Sequence, residues 1–145
     1  MDVRSDRRYR FDVGAAELWA SITRVDDYTR WWPWLRGFDA CAFETGAHWS
    51  CVVRPPLPYT LRFGLQLDDV VPETSVRATV TGDITGQASL ELTEVDDGTE
   101  LHLVSELAPA NQMLRAVALV AAPVVRFGHD WVLDTGLRQF KAGAF

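Results

Sequence analysis

At 145 residues the chain has the length of one domain, 1–145, with enough residues for its own hydrophobic core. With 48% apolar and 23% charged residues it has the balance of a folded globule rather than a disordered segment. A net charge of −6 argues against nucleic acid, which needs a basic face, and against docking on anionic lipid.

The opening "MDVRSDRRYRF" has no apolar run, so no signal peptide is read there. Alternation over 8–13 sets Tyr9, Phe11 and Val13 on one face of a first strand. Arg4, Arg7, Arg8 and Arg10 read as the solvated part of that strand. The period then changes, and Ala15, Leu18, Trp19 and Ile22 recur at helical spacing. Asp26 and Asp27 suit the cap of a second short helix, which should end near Trp31 because Trp32 precedes a proline.

The stretch "DYTRWWPWLRGFDA" (27–40) gathers Trp31, Trp32 and Trp34 around Pro33. Full burial of one such side chain stabilises by about 1.5–3 kcal/mol, and three left in water would form a sticky patch on the order of several hundred Å². Core, ligand or partner must cover them.

Strands follow in series. Segments 36–43 and 48–54 flank a turn at 44–47, which puts Cys41 and Cys51 on opposite faces and disfavours a disulfide. A reducing cytoplasm is the expected compartment. Over 59–71, Tyr59, Leu61, Phe63, Leu65 and Leu67 face one way; Val76, Ala78 and Val80 repeat the pattern. A hairpin at "VDDG" joins two more strands, with inner sets Ile84, Gly86, Ala88, Leu90, Leu92 and Leu101, Leu103, Ser105, Leu107. After Pro109, with Asn111 as cap, residues 112–142 read as a helix that Pro123 kinks or divides. Its expected apolar stripe is Met113, Val117, Val120, Val124, Phe127, Trp131 and Leu137. The most apolar run, 113–127, is too short to span a bilayer and carries Arg115 and Arg126.

The stretches "VGAAELWASITRVDDYTRWWPWL" and "GDITGQASLELTEVDDGTELH", with the proline-interrupted terminal helix, resemble the START-like (SRPBCC) helix-grip superfamily, specifically its small polyketide cyclase/dehydrase-like proteins. The resemblance implies an α+β, Bet v 1-like fold. A curved antiparallel sheet of about seven strands wraps a long C-terminal helix, with two short helices after the first strand. It also implies a cavity between sheet and helix for an apolar small molecule, lipid- or polyketide-like. Members include lipid carriers, ligand sensors and aromatase/cyclases, so the fold leaves the function open.

No metal site is expected, because His48, His102 and His129 lack ligand spacing, and no cofactor fingerprint occurs. The adjacent His129 and Asp130 point about 100° apart on a helix and read as surface or cavity-rim polarity. The expected ligand wall is Trp31, Trp34, Trp49, Tyr59, Phe63, Leu65, Ala78, Gly86, Ala88, Leu90 and Leu103 from the first helices and the sheet. Met113, Val117, Val124, Phe127 and Trp131 complete it from the helix. Small residues mark where room is expected. Three functions stay open: a binder of a hydrophobic small molecule; a cyclase, aromatase or dehydratase with Tyr59, Arg54 and Ser105 as candidate catalytic groups; and a protein-interaction module built on the tryptophans. A monomer or homodimer suits each.

Overall fold

The period-two segments pair into one antiparallel sheet of seven strands, and the terminal helix lies against its apolar face. The structure, a computed structural model, describes residues 3–40, 42–57, 59–112, 114–116 and 122–144, without the side chains of Ala122, Val124 and Val125. In chain order the elements are β1 (Val3–Phe11), α1 (Ala15–Ile22), a 3-10 turn (Val25–Asp27), α2 (Tyr28–Trp31), β2 (Leu35–Asp39) and β3 (His48–Val53). β4 (Leu61–Val71), β5 (Ser75–Gly82), β6 (Ile84–Val95), β7 (Gly98–Pro109) and α3 (Ala122–Ala144) follow. The strand order is β1-β7-β6-β5-β4-β3-β2, so β1 crosses to pair with the last strand.

The inner and outer faces follow the alternation. Val3, Ser5 and Phe11 of β1 are buried, as are Trp49, Cys51 and Val53 of β3 and Val76, Ala78 and Val80 of β5. Arg7 departs from the solvated reading of the N-terminal arginines. It shares the parity of Tyr9 and Phe11, lies on the inner face, and reaches α3, where it pairs with Asp130 at 3.1 Å and Asp134 at 3.4 Å. Arg4, Arg8 and Arg10 do stay exposed.

One boundary and one cap differ from the sequence reading. β2 ends at Asp39, and residues 42–47 turn back over Trp49, whose Nε1 donates to the Ala42 carbonyl at 2.8 Å. Cys41 lies outside the described residues. Cys51 is buried on the inner face, and burial pushes its thiol up to about 12, which keeps it protonated. Asp27 does stand at the start of α2, but its carboxylate pairs with Arg24 and Arg30 at 3.4 and 3.2 Å instead of capping the helix.

Asn111 behaves as a cap, its Oδ1 accepting the Leu114 N–H at 2.6 Å. Residues 117–121, which precede the division expected at Pro123, lie outside the described residues. Of the expected stripe on α3, Leu137 packs against the core, Phe127 does not, and Met113, Val117, Val120 and the side chain of Val124 lie outside the described residues. Gly128, Gly136 and Gly143 recur at intervals of eight and seven, and each lies under an aromatic ring. A Cβ at Gly128 would collide with the Tyr59 hydroxyl, one at Gly143 with the Trp31 ring, and one at Gly136 would come 3.1 Å from Trp34. Phe127, one position off that face, is 53% exposed.

Candidate functional site

The tryptophans close one end of the core. Trp31 packs edge-on against Phe140 of α3 with ring centres 5.3 Å apart, and Trp32 stacks on Trp34 at 5.6 Å. Trp32 donates its Nε1–H to the Gly136 carbonyl and Trp34 to Gln139 Oε1, each at 2.8 Å. Tyr28, buried beside them, donates to the Ile22 carbonyl. Trp49 joins the same cluster through Phe38 and Phe43. The aromatic surface in residues 27–40 therefore fastens the C-terminal half of α3 to the rest of the core.

A cavity of about 220 Å³ lies toward the other half of α3. The sheet contributes Val3, Val53, Leu61, Phe63, Leu65, Val80, Ile84, Ala88, Leu103, Ser105 and Leu107, continuing through Ala108 and Pro109. Pro55 and Tyr59 close it from the β3–β4 connection, Leu114 from the first helical turn, and Gly128, His129, Val132 and Leu133 from α3. Nearly every wall group is hydrocarbon, the lining that keeps a cavity dry and receptive to apolar molecules.

Of the residues expected at the wall, Tyr59, Phe63, Leu65, Ala88 and Leu103 line this cavity, together with Ser105. Trp31, Trp34, Trp49, Ala78 and Leu90 pack in or against the aromatic end of the core and do not line it. Trp131 and Phe127 are also absent from the wall, since α3 presents Gly128, His129, Val132 and Leu133 there. Gly86 adds no room for a ligand; it has φ +151°, and the space a Cβ would need is taken by the Glu106 carbonyl of β7. Arg54 is exposed, and its backbone N–H donates to the Trp34 carbonyl. Met113 and Val117 lie outside the described residues, as does the side chain of Val124.

The one polar corner comes from a residue whose sequence pattern reads as surface or rim polarity. His129 Nε2 lies 3.1 Å from Ser105 Oγ. Its Nδ1 is buried without a hydrogen-bond partner among the described residues, and Asp130 Oδ1 is 3.6 Å away. Burial holds the imidazole below its usual pKa, reinforced by Arg7 and Arg126 and opposed by Asp130, so the ring is neutral at pH 7. No group of three or more potential metal ligands occurs among the described residues.

The His129 shift has a definite sign in stability. Its folded pKa lies below the unfolded value of 6.5, so the unfolded chain takes the proton first and stability falls as pH drops through 6.5. Asp6, held low by His102, contributes stability that is lost only in more acid solution, as pH falls below 3.8. Thermal unfolding between pH 8 and 5 should therefore show a falling midpoint, with a shallower fall in His129→Gln.

A sheet curled around a terminal helix, with a mostly apolar cavity between them, defines the helix-grip class of START-like and Bet v 1-like proteins. A family model described as "Activator of Hsp90 ATPase homolog 1-like protein" matches residues 12–127, and the chain belongs to that family. No protein of curated function matches the sequence. Among solved structures, Ara h 8.0201 aligns over 99% of this chain and 98% of its own, with a TM-score of 0.68 at 9% identity. The protein TTHA0849 from Thermus thermophilus aligns over 100% of both chains, with a TM-score of 0.68 at 12% identity. A Rhodobacter sphaeroides protein aligns over 96% of this chain and 89% of its own, with a TM-score of 0.62 at 21% identity. At these identities the likeness is one of fold. No helix among the described residues is long and apolar enough to cross a membrane.

Proposed function

We propose that the chain binds a hydrophobic small molecule, lipid- or polyketide-like, in the cavity between sheet and α3. The observation that carries this reading is the wall itself, hydrocarbon throughout apart from the Tyr59 hydroxyl and the Ser105–His129 corner. A dry cavity of about 150 Å³ holds benzene, so about 220 Å³ suits one or two rings or a medium alkyl chain. Protein purified under native conditions, then denatured, should release a stoichiometric apolar molecule detectable by mass spectrometry. Rebinding should change tryptophan emission. Ala88→Phe, which fills the void from the middle of β6, should weaken rebinding by tenfold or more. An empty protein indifferent to lipids and aromatic polyketides would sink the reading.

A second reading, a cyclase or dehydratase, draws on the Ser105–His129 pair. A neutral imidazole on an apolar wall is a competent general base for a carbonyl-activated proton. Tyr59 remains a candidate donor, and Arg54, exposed, lies away from that corner. Turnover of a poly-ketone substrate that survives both Ser105→Ala and His129→Gln would dismiss it.

A further inference from the structure

If the cavity holds a small molecule, as proposed above, its polar corner also restricts what that molecule carries. Ser105 on β7 and His129 on α3 meet at the wall, Oγ to Nε2, at 3.1 Å. Which of them donates is decided at the far side of the imidazole. Nδ1 is buried and faces Asp130 Oδ1 at 3.6 Å. Asp130 pairs with Arg7, which also holds Asp134 and donates from Nε to Ser5 Oγ at 3.2 Å. A lone pair on Nδ1 would point at that carboxylate and be repelled, whereas a proton on Nδ1 is attracted to it. Burial opposes a second proton on the ring, so Nε2 is left as an acceptor.

The hydrogen bond therefore runs from the Ser105 hydroxyl to His129 Nε2. A serine that has committed its single proton offers the cavity only lone pairs. The other wall hydroxyl, that of Tyr59, is pressed against the α3 backbone at Gly128. We infer that the cavity selects an apolar molecule with a hydrogen-bond donor at its polar end, an alcohol or phenol, and discriminates against ketones, aldehydes and carboxylates. A carboxylate would meet an acceptor at Ser105 and the negative charge of Asp130 behind it.

The test is calorimetric titration of the intact chain at pH 7.5 with naphthalene, 1-naphthol, 1-naphthaldehyde and 1-naphthoate. The expected order puts 1-naphthol about tenfold tighter than naphthalene, the size of one well-made hydrogen bond, with the aldehyde and acid no tighter than the parent hydrocarbon. In Ser105→Ala the ratio of naphthol to naphthalene affinity should fall to near one. Aldehyde or naphthoate binding as tightly as naphthol overturns the inference while leaving a small-molecule cavity in place. So does a naphthol preference that persists in Ser105→Ala. Failure of all four probes to bind overturns the small-molecule reading and this inference with it. The wild-type series decides the matter even if the variant does not fold.

Discussion

Trp31→Ala should lower the unfolding free energy by about 3–5 kcal/mol, the range for deleting a large buried aromatic side chain. Trp31 is 5% exposed. It sits between Tyr28 and Phe140, with ring centres 5.9 and 5.3 Å away, and lies on the backbone of α3 at Gly143. No neighbour can collapse into that space without moving the helix. Urea denaturation followed by fluorescence of the remaining tryptophans gives the number directly. Trp31→Phe should lose much less, because Nε1 has no hydrogen-bond partner among the described residues, so most of what phenylalanine gives up is ring area. A loss under about 1 kcal/mol for the alanine variant would mean that Trp31 does not hold α3 in place.

Gly86→Ala should cost about 3 kcal/mol or more, although it adds a single methyl group. Its φ of +151° lies in a region that side chains avoid, at a cost of roughly 1–3 kcal/mol. The new Cβ would in addition run into the Glu106 carbonyl oxygen, so β6 and β7 must separate. Gly14→Ala is the control, since nothing lies within 4 Å of the added atom, and the poorer N-cap it leaves on α1 should cost about 1 kcal/mol. Equal midpoints for the two variants in chemical denaturation would show that the backbone conformation of Gly86 is dispensable.

The two variants probe different kinds of legibility. The sheet can be read because a strand declares its faces by simple alternation. That rule alone sets Tyr59, Phe63, Leu65, Ala88, Leu103 and Ser105 on the side where the cavity lies. It also holds for Arg7, whose parity matches its buried neighbours while its charge argues for solvent. What alternation lacks is any record of backbone torsion, so Gly86 reads as empty space when the β7 backbone already fills it. The helix is harder for a related reason. Its inner face sets Gly128, His129, Gly136 and Gly143, which add no hydrophobic signal, among Val132, Leu133, Leu137 and Phe140, whereas Phe127, one position off that face, pulls the apparent stripe about 100° around the axis. The tryptophans announce that something covers them. Whether that cover is ligand or helix depends on where α3 lands, which no local pattern encodes.

The same glycines bear on how α3 exists at all. Each one costs roughly 1 kcal/mol of helix propensity relative to alanine, and a 23-residue segment is only marginally helical in water to begin with. Three of them within one such segment leave little reason for it to coil unaided. They are nonetheless the positions that admit Tyr59, Trp34 and Trp31 to the helix backbone. The segment thus trades its autonomy for a fit. Detached from its aromatic receptor it should lose its shape as well as its place, so that winding and docking are a single event.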